Sequence, residues 1–357
     1  MIKNKITKHQ YMFTLMSAMI GVGILAMTSG LSKTAHQQGW ISVFIAGLYP
    51  AFIILTATII DKKTNHASFW DINNMIYGKF LSYIFTLIFA LYFLLIFVTI
   101  TAGFTNVLRQ TITIFLSPIN IILPIVILIP IISIRGVFMV GRICEFYFYA
   151  TIPLLILPLF LITRGAIINV MPIFSSLEDI IKATPAGFYA FTGCEISYLI
   201  ISKISNKKNI LRVGIISVLI TTLVYGSLAF IIIYFMGWEL ASMLDYPLMF
   251  LIESFEVPIL SNFLAIFIFL WIAIILKSLV VFSFCTNYLV SKVIRIDIKK
   301  INIIFSLIAL GCIYLFIPEF NRKAILDLIL PYFIFFFLTW GFITSFIVSI
   351  KFKGGKL

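Results

Sequence analysis

Ten apolar stretches, most of them near twenty residues long, follow one another along this chain: about 10–31, 38–60, 80–102, 118–134, 144–163, 183–202, 212–236, 258–290, 302–317 and 328–350. A helix needs about 20 apolar residues to cross a bilayer. Within hydrocarbon, only a backbone that satisfies its own polar groups is tolerated. The pattern therefore predicts an all-α membrane protein with ten transmembrane helices. At 62% hydrophobic and 11% charged residues, the chain is far from a soluble domain, where about 25% are charged. Residues 1–357 read as a single transmembrane domain. The fourth and ninth stretches are short, and the eighth is long enough to tilt or to extend past the bilayer.

The loops test the count. With the N-terminus on one side, the segments of that side hold Lys3, Lys5, Lys8; Lys62, Lys63, Lys79; Arg135, Arg142; Lys203, Lys207, Lys208, Arg212; Lys292, Arg295, Lys299, Lys300; and Lys351, Lys353, Lys356. The other side holds six: Lys33, Arg109, Arg164, Lys182, Arg322 and Lys323. Basic residues favour cytoplasmic loops, so both termini are expected inside. The net charge of +13 is thereby explained by topology, and no nucleic acid partner is expected. Lys3, Lys5 and Lys8 before an apolar run mimic a secretion signal, but nine further spans favour a retained first span. Glu239, Asp245, Glu253 and Glu256 make the loop after span seven acidic; a solvated loop or a cation-attracting patch would account for them. The loop from Asp61 to Lys79 carries Phe69, Trp70, Ile72, Met75, Ile76 and Tyr77, the mark of a short amphipathic helix along the inner face.

Two places break the apolar pattern. Gly21-Val22-Gly23, followed by Ile24, lies within span one, and Phe191-Thr192-Gly193-Cys194-Glu195 within span six. Five spans separate them, so they hold equivalent places in two five-span halves, about 10–163 and 183–317, with a tenth helix at about 328–350 completing the fold. Inverted-repeat transporters build midplane sites from paired broken helices. Glycines at 21 and 23 weaken a helix, each by about 1 kcal/mol relative to Ala. A glycine face for close helix packing would explain them as well. Gly21, Gly23 and Ala26 also fit a dinucleotide fingerprint, but no strand precedes them.

Charges inside spans are costly and point to function. Glu195 could accept hydrogen bonds from freed amides, meet an amine, or take up a proton. Lys277, near the middle of span eight, is expected to pair with it. Such an ammonium could also stand where other transporters bind sodium, or snorkel to an interface. Tyr92, Ile96 and Thr99 share one face of span three, and Trp271 and Ser278 accompany Lys277 in span eight. Pro153, Pro158 and Pro185 mark bends. Cys144, Cys194, Cys285 and Cys312 and the three histidines form no metal or redox pattern, and no nucleophile–base pair is present, so no enzyme activity and no cofactor are expected.

Gly21-Val22-Gly23-Ile24-Leu25 with Gly39-Trp40-Ile41, Tyr77-Gly78-Lys79, and Gly141-Arg142 with Glu145 resemble the B subunits of endospore germinant receptors, the spore permease family. Phe188-Tyr189-Ala190-Phe191-Thr192-Gly193-Cys194-Glu195 is similar to the sixth-span motif of the amino acid–polyamine–organocation transporters, the superfamily of that family. Ala26-Met27-Thr28 stands where the family often has proline, and Cys194 where an aromatic is common. The resemblance implies a LeuT-like five-plus-five inverted repeat with helices 1 and 6 broken. It also implies a multi-pass protein of the spore inner membrane, with termini on the core side. The partners would be a membrane A subunit, a lipoprotein C subunit, surrounding lipid and a small germinant, commonly an amino acid. Span-one amides would suit the carboxylate of that ligand, and Glu195 or nearby carbonyls its amino group. A cation- or proton-coupled amino acid permease is the alternative.

Overall fold

The computed structural model describes residues 5–254, 263–294 and 296–352. Lys3, Glu256, Arg295, Lys353 and Lys356, counted above, lie outside the described residues. The chain is helical almost throughout, and the ten apolar stretches appear in order. Span one is two helices, α1 (Lys8–Met19) and α2 (Gly23–Ala35). Span two is α3 (Gly39–Ala46) running into α4 (Leu48–Lys63), and span three is α5 (Phe69–Thr111). Next come the short α6 (Pro118–Ser133) and α7 (Val137–Ile156), which tightens into 3₁₀ turns over Leu157–Arg164 where Pro158 falls. Span six is α8 (Leu177–Ala190), an irregular turn, and the four-residue α9 (Ser197–Ile200). The last spans are α10 (Ile210–Met243), followed by a surface turn α11 (Pro247–Glu253), then α12 (Phe263–Val293), α13 (Ile298–Phe316) and α14 (Glu319–Lys351).

The exterior is apolar as well as the core. Phe80, Phe269, Phe335 and Tyr332 are each more than 70% exposed, an apolar exterior that only lipid tolerates. The broken helices take the centre: α1 packs on α7, α10 and α12, and α2 on α8 and α10. The α2–α8 contact is close because Gly23 and Gly30 face Ala190 and Ala186. The residues expected as an amphipathic helix form the first part of α5, turned from the span at Gly78, where φ is +75°. Phe69 and Ile72 are buried there rather than laid on lipid. Pro185 lies inside α8 without ending it.

Contacts among helix ends sort them onto two faces. On one, Ile6 pairs with the 203–205 segment, Ile6 N–H to Lys203 O and Ser205 N–H to Ile6 O, both 3.0 Å. Lys8 Nζ reaches Lys208 O, Lys207 Nζ meets Asp61 at 2.7 Å, and Lys351 Nζ meets Met75 O. Burial pulls the Lys207 ammonium below its usual range, with Asp61 opposing the shift. The opposite face carries the Lys323–Asp245 ion pair. The basic segments assigned to one side by ten crossings are thus gathered on one face, where the Ile6–Ile204 bridge joins the N-terminal segment to the end of span six.

Candidate functional site

Helix α1 ends at Met19 and α2 begins at Gly23, so Ile20–Val22 are unwound. Ser278 Oγ, on α12, faces the freed carbonyls of Ser17 (2.6 Å) and Ile20 (3.0 Å). At the start of α2 no side chain caps Val22, and among the described residues the N–H groups of Gly21, Val22, Gly23 and Ile24 meet no acceptor. Both readings of the glycines hold in part. Gly21 sits in the unwound turn, while a Cβ on Gly23 would come within 3.3 Å of Ala190 Cα.

The second break is set by Gly193, whose φ of +105° disfavours any side chain. A Cβ there would also lie 2.7 Å from Ala18 O. Tyr225, on α10, ties the two breaks together: its hydroxyl lies 2.7 Å from Met19 O and 3.2 Å from Ala190 O. Nothing in the sequence distinguishes it from the other tyrosines.

Glu195 is fully buried and fully engaged. Gly193 N–H donates to its Oε2 at 2.7 Å, Tyr92 Oη–H donates to the same oxygen at 2.8 Å, and Tyr49 Oη–H donates to Oε1. Of its three possible roles, acceptor for the broken helix is the one the geometry displays. The expected Glu195–Lys277 pair is absent among the described ion pairs. Helix α12 turns Lys277 toward α7 instead, where Nζ stands 5.5 Å from the Phe148 ring centre, beside Cys144, without a hydrogen-bond acceptor among the described residues. Trp271 is buried against Phe104 at 5.5 Å, its Nε1–H also without a partner. Phe191 packs on Tyr225, and Cys194 and Ile24 are buried.

A cavity of about 280 Å³ lies against the breaks. Gly21, Val22, Gly23, Ile96, Thr99 and Thr192 line it; the other expected residues do not. Its charged lining, Lys33, Arg322, Lys323 and Asp327, includes three residues from the start of α14. Arg322 and Lys323 were expected in a loop, because the apolar stretch begins only near residue 328. In fact α14 starts at Glu319, and Arg322 is 7% exposed. The one start signal, an acidic Glu319 in the first turn after Pro318, is too weak by itself to extend the helix back from residue 328. No group of His, Cys, Asp and Glu suited to a metal occurs among the described residues.

The family model described as "Spore germination protein" matches residues 5–324. Spore germination protein A2 of Bacillus subtilis (strain 168) is 23% identical over 356 residues, 97% of this chain and 96% of that protein. Spore germination protein B2 of the same organism is 22% identical over 262 residues, 72% of this chain and 70% of that protein. Among solved structures, that of MhsT in complex with L-phenylalanine superposes with a TM-score of 0.69 at 13% identity, covering 99% of this chain and 91% of its own. The fold is therefore LeuT-like, as the paired breaks imply.

Proposed function

The chain belongs to the family of spore germination proteins, and from that premise we propose that it is the membrane subunit of a germinant receptor, binding a small amino acid between its broken helices and thereby starting germination. The observation that carries this reading is the cavity bounded by both breaks, with the α2 amides open toward it. A volume of about 280 Å³ is at the low end for ligand pockets and suits an amino acid. Exposed N–H groups at a helix start favour a carboxylate. Because Glu195 is enclosed by its own donors, the ligand's ammonium is assigned to Thr192 and the neighbouring carbonyls, with Asp327 the one carboxylate in the lining. The cavity lies away from the basic face. With that face toward the spore core, the site is reached from outside the inner membrane. Membrane A and lipoprotein C subunits would relay occupancy.

Gly23→Leu tests the site, because the new side chain would be driven into Ala190 and the cavity. Spores carrying it should keep the protein in the membrane and lose the response to amino acids; an unchanged dose response would sink the assignment. The likeness to MhsT supports a second reading, an amino acid permease, in which the unpartnered Lys277 ammonium replaces a coupling cation. Robust uptake of labelled amino acid into proteoliposomes of the isolated chain would favour it.

A further inference from the structure

Resting on the reading that an amino acid occupies this cavity, we infer that Arg322 is the residue that receives its carboxylate, sharing it with the open amides of α2. Three observations converge. Arg322 is more than nine-tenths buried, yet it lines the cavity. It lies over the unwound segment: one point, where a Cβ on Gly103 would stand, is 3.3 Å from Arg322 Cζ and Nη1 and 3.1 Å from Val22 Cγ1. Its donors are also only half used. Nε donates to Glu319 Oε2 at 2.9 Å and Nη2 to Oε1 at 2.5 Å, while Nη1 meets no acceptor among the described residues. The Tyr246 hydroxyl stands beside the pair and interacts with both side chains.

A guanidinium offers five donors in a rigid fork, so one carboxylate on the Nε/Nη2 edge leaves the Nη1 edge available to a second. Glu319 is itself fixed, since its Oε2 also accepts from Asn106 Nδ2 of α5 at 3.0 Å. The arrangement holds the fork still, its charge balanced by Glu319, until a ligand arrives. Gly103 makes the geometry possible, because any side chain there would press on the guanidinium. A bound carboxylate would then join α2 to α14 across the cavity, which gives occupancy a structural consequence.

The alternative is that Arg322 only ties α14 to α5 through Glu319 and Asn106. Binding of the standard L-amino acids, and of the C-terminal amide of each binder, to the full chain in lipid nanodiscs separates the two. Arg322→Gln should raise the Kd for the free acid about 10- to 100-fold, the scale of a charge-assisted hydrogen bond, and leave the Kd of the amide unchanged. Arg322→Lys, which keeps the charge and a donor toward Glu319, should give a smaller loss. Glu319→Gln frees the fork from its competitor, so it should bind the free acid as tightly as the wild type or more tightly. Equal weakening by Arg322→Gln and Glu319→Gln, or equal effects on acid and amide, would overturn the assignment. A wild-type chain that binds no amino acid would overturn the underlying reading itself, and with it this one.

Discussion

A carboxylate buried among helices needs donors, and Glu195 has them in Gly193 N–H and the hydroxyls of Tyr49 and Tyr92. Removing the charge while keeping the shape, as Glu195→Gln does, leaves an amide that must donate where only donors wait. We expect a loss of about 1–3 kcal/mol, the penalty for an unmatched buried polar group, read as a lower melting temperature in nanodiscs. Lys277 is the opposite case. Its ammonium is buried without an acidic partner, and replacing such a charge by a hydrophobe of similar size is often neutral or stabilising. Lys277→Met should therefore melt at or above the wild-type temperature. The cycle with Glu195→Gln should show a coupling below about 0.5 kcal/mol, as for independent sites; a larger value would mean that the two charges do interact. The sequence marked both as functional positions, because charge inside a span is rare. Their partners were not legible. Pairing the two opposite charges is natural in one dimension, but α12 turns Lys277 toward α7, and any of 15 tyrosines could have supplied the donors.

Elements show the same division. Both breaks were readable, since glycine weakens a helix wherever it stands, and the structure unwinds the chain at Ile20–Val22 and around Gly193. The start of α14 was not, because hydropathy sees only the apolar part of a helix. Its first turns, Glu319 to Asp327, carry three of the four charged residues that line the cavity. The break of span six rests on one backbone conformation. Gly193→Ala must hold a side chain at φ +105° and 2.7 Å from Ala18 O. Strain of that kind costs on the order of 1–3 kcal/mol, and the clash would push α1 away. We expect a lower melting temperature together with loss of amino acid binding. Gly78→Ala provides the control: φ is +75° there too, but nothing lies within 4 Å of the new Cβ. It should lower stability by about 1–2 kcal/mol and leave binding intact, which separates backbone strain from damage to the site.

At the scale of the molecule, the two faces are unequal. The basic face is closed by the Ile6–Ile204 bridge, the Asp61–Lys207 pair and the Gln10–Glu145 hydrogen bond. The cavity lies on the other side of the breaks, toward the Lys323–Asp245 pair. A site reached from one side only is what a sensor of external solute needs, and it is also one half of a transport cycle. If the basic loops stay inside, as the charge asymmetry favours, the cavity faces the outer compartment. This can be measured with cysteine probes. Cys144, Cys194 and Cys285 are buried, so only Cys312 needs replacing by serine for a quiet background. In right-side-out vesicles, a membrane-impermeant maleimide should label Phe115→Cys, at a position 83% exposed between α5 and α6, and should spare Asn206→Cys on the basic face until the membrane is permeabilised. Thr99→Cys in the cavity should label from the Phe115 side, and a bound amino acid should protect it. Ile6→Pro removes the N–H that bonds Lys203 O, and is expected to let reagent reach Ser17→Cys from the basic side. Labelling of Phe115→Cys and Asn206→Cys from the same side would break the alternation of ten crossings, and with it the assignment of the cavity to the outer compartment.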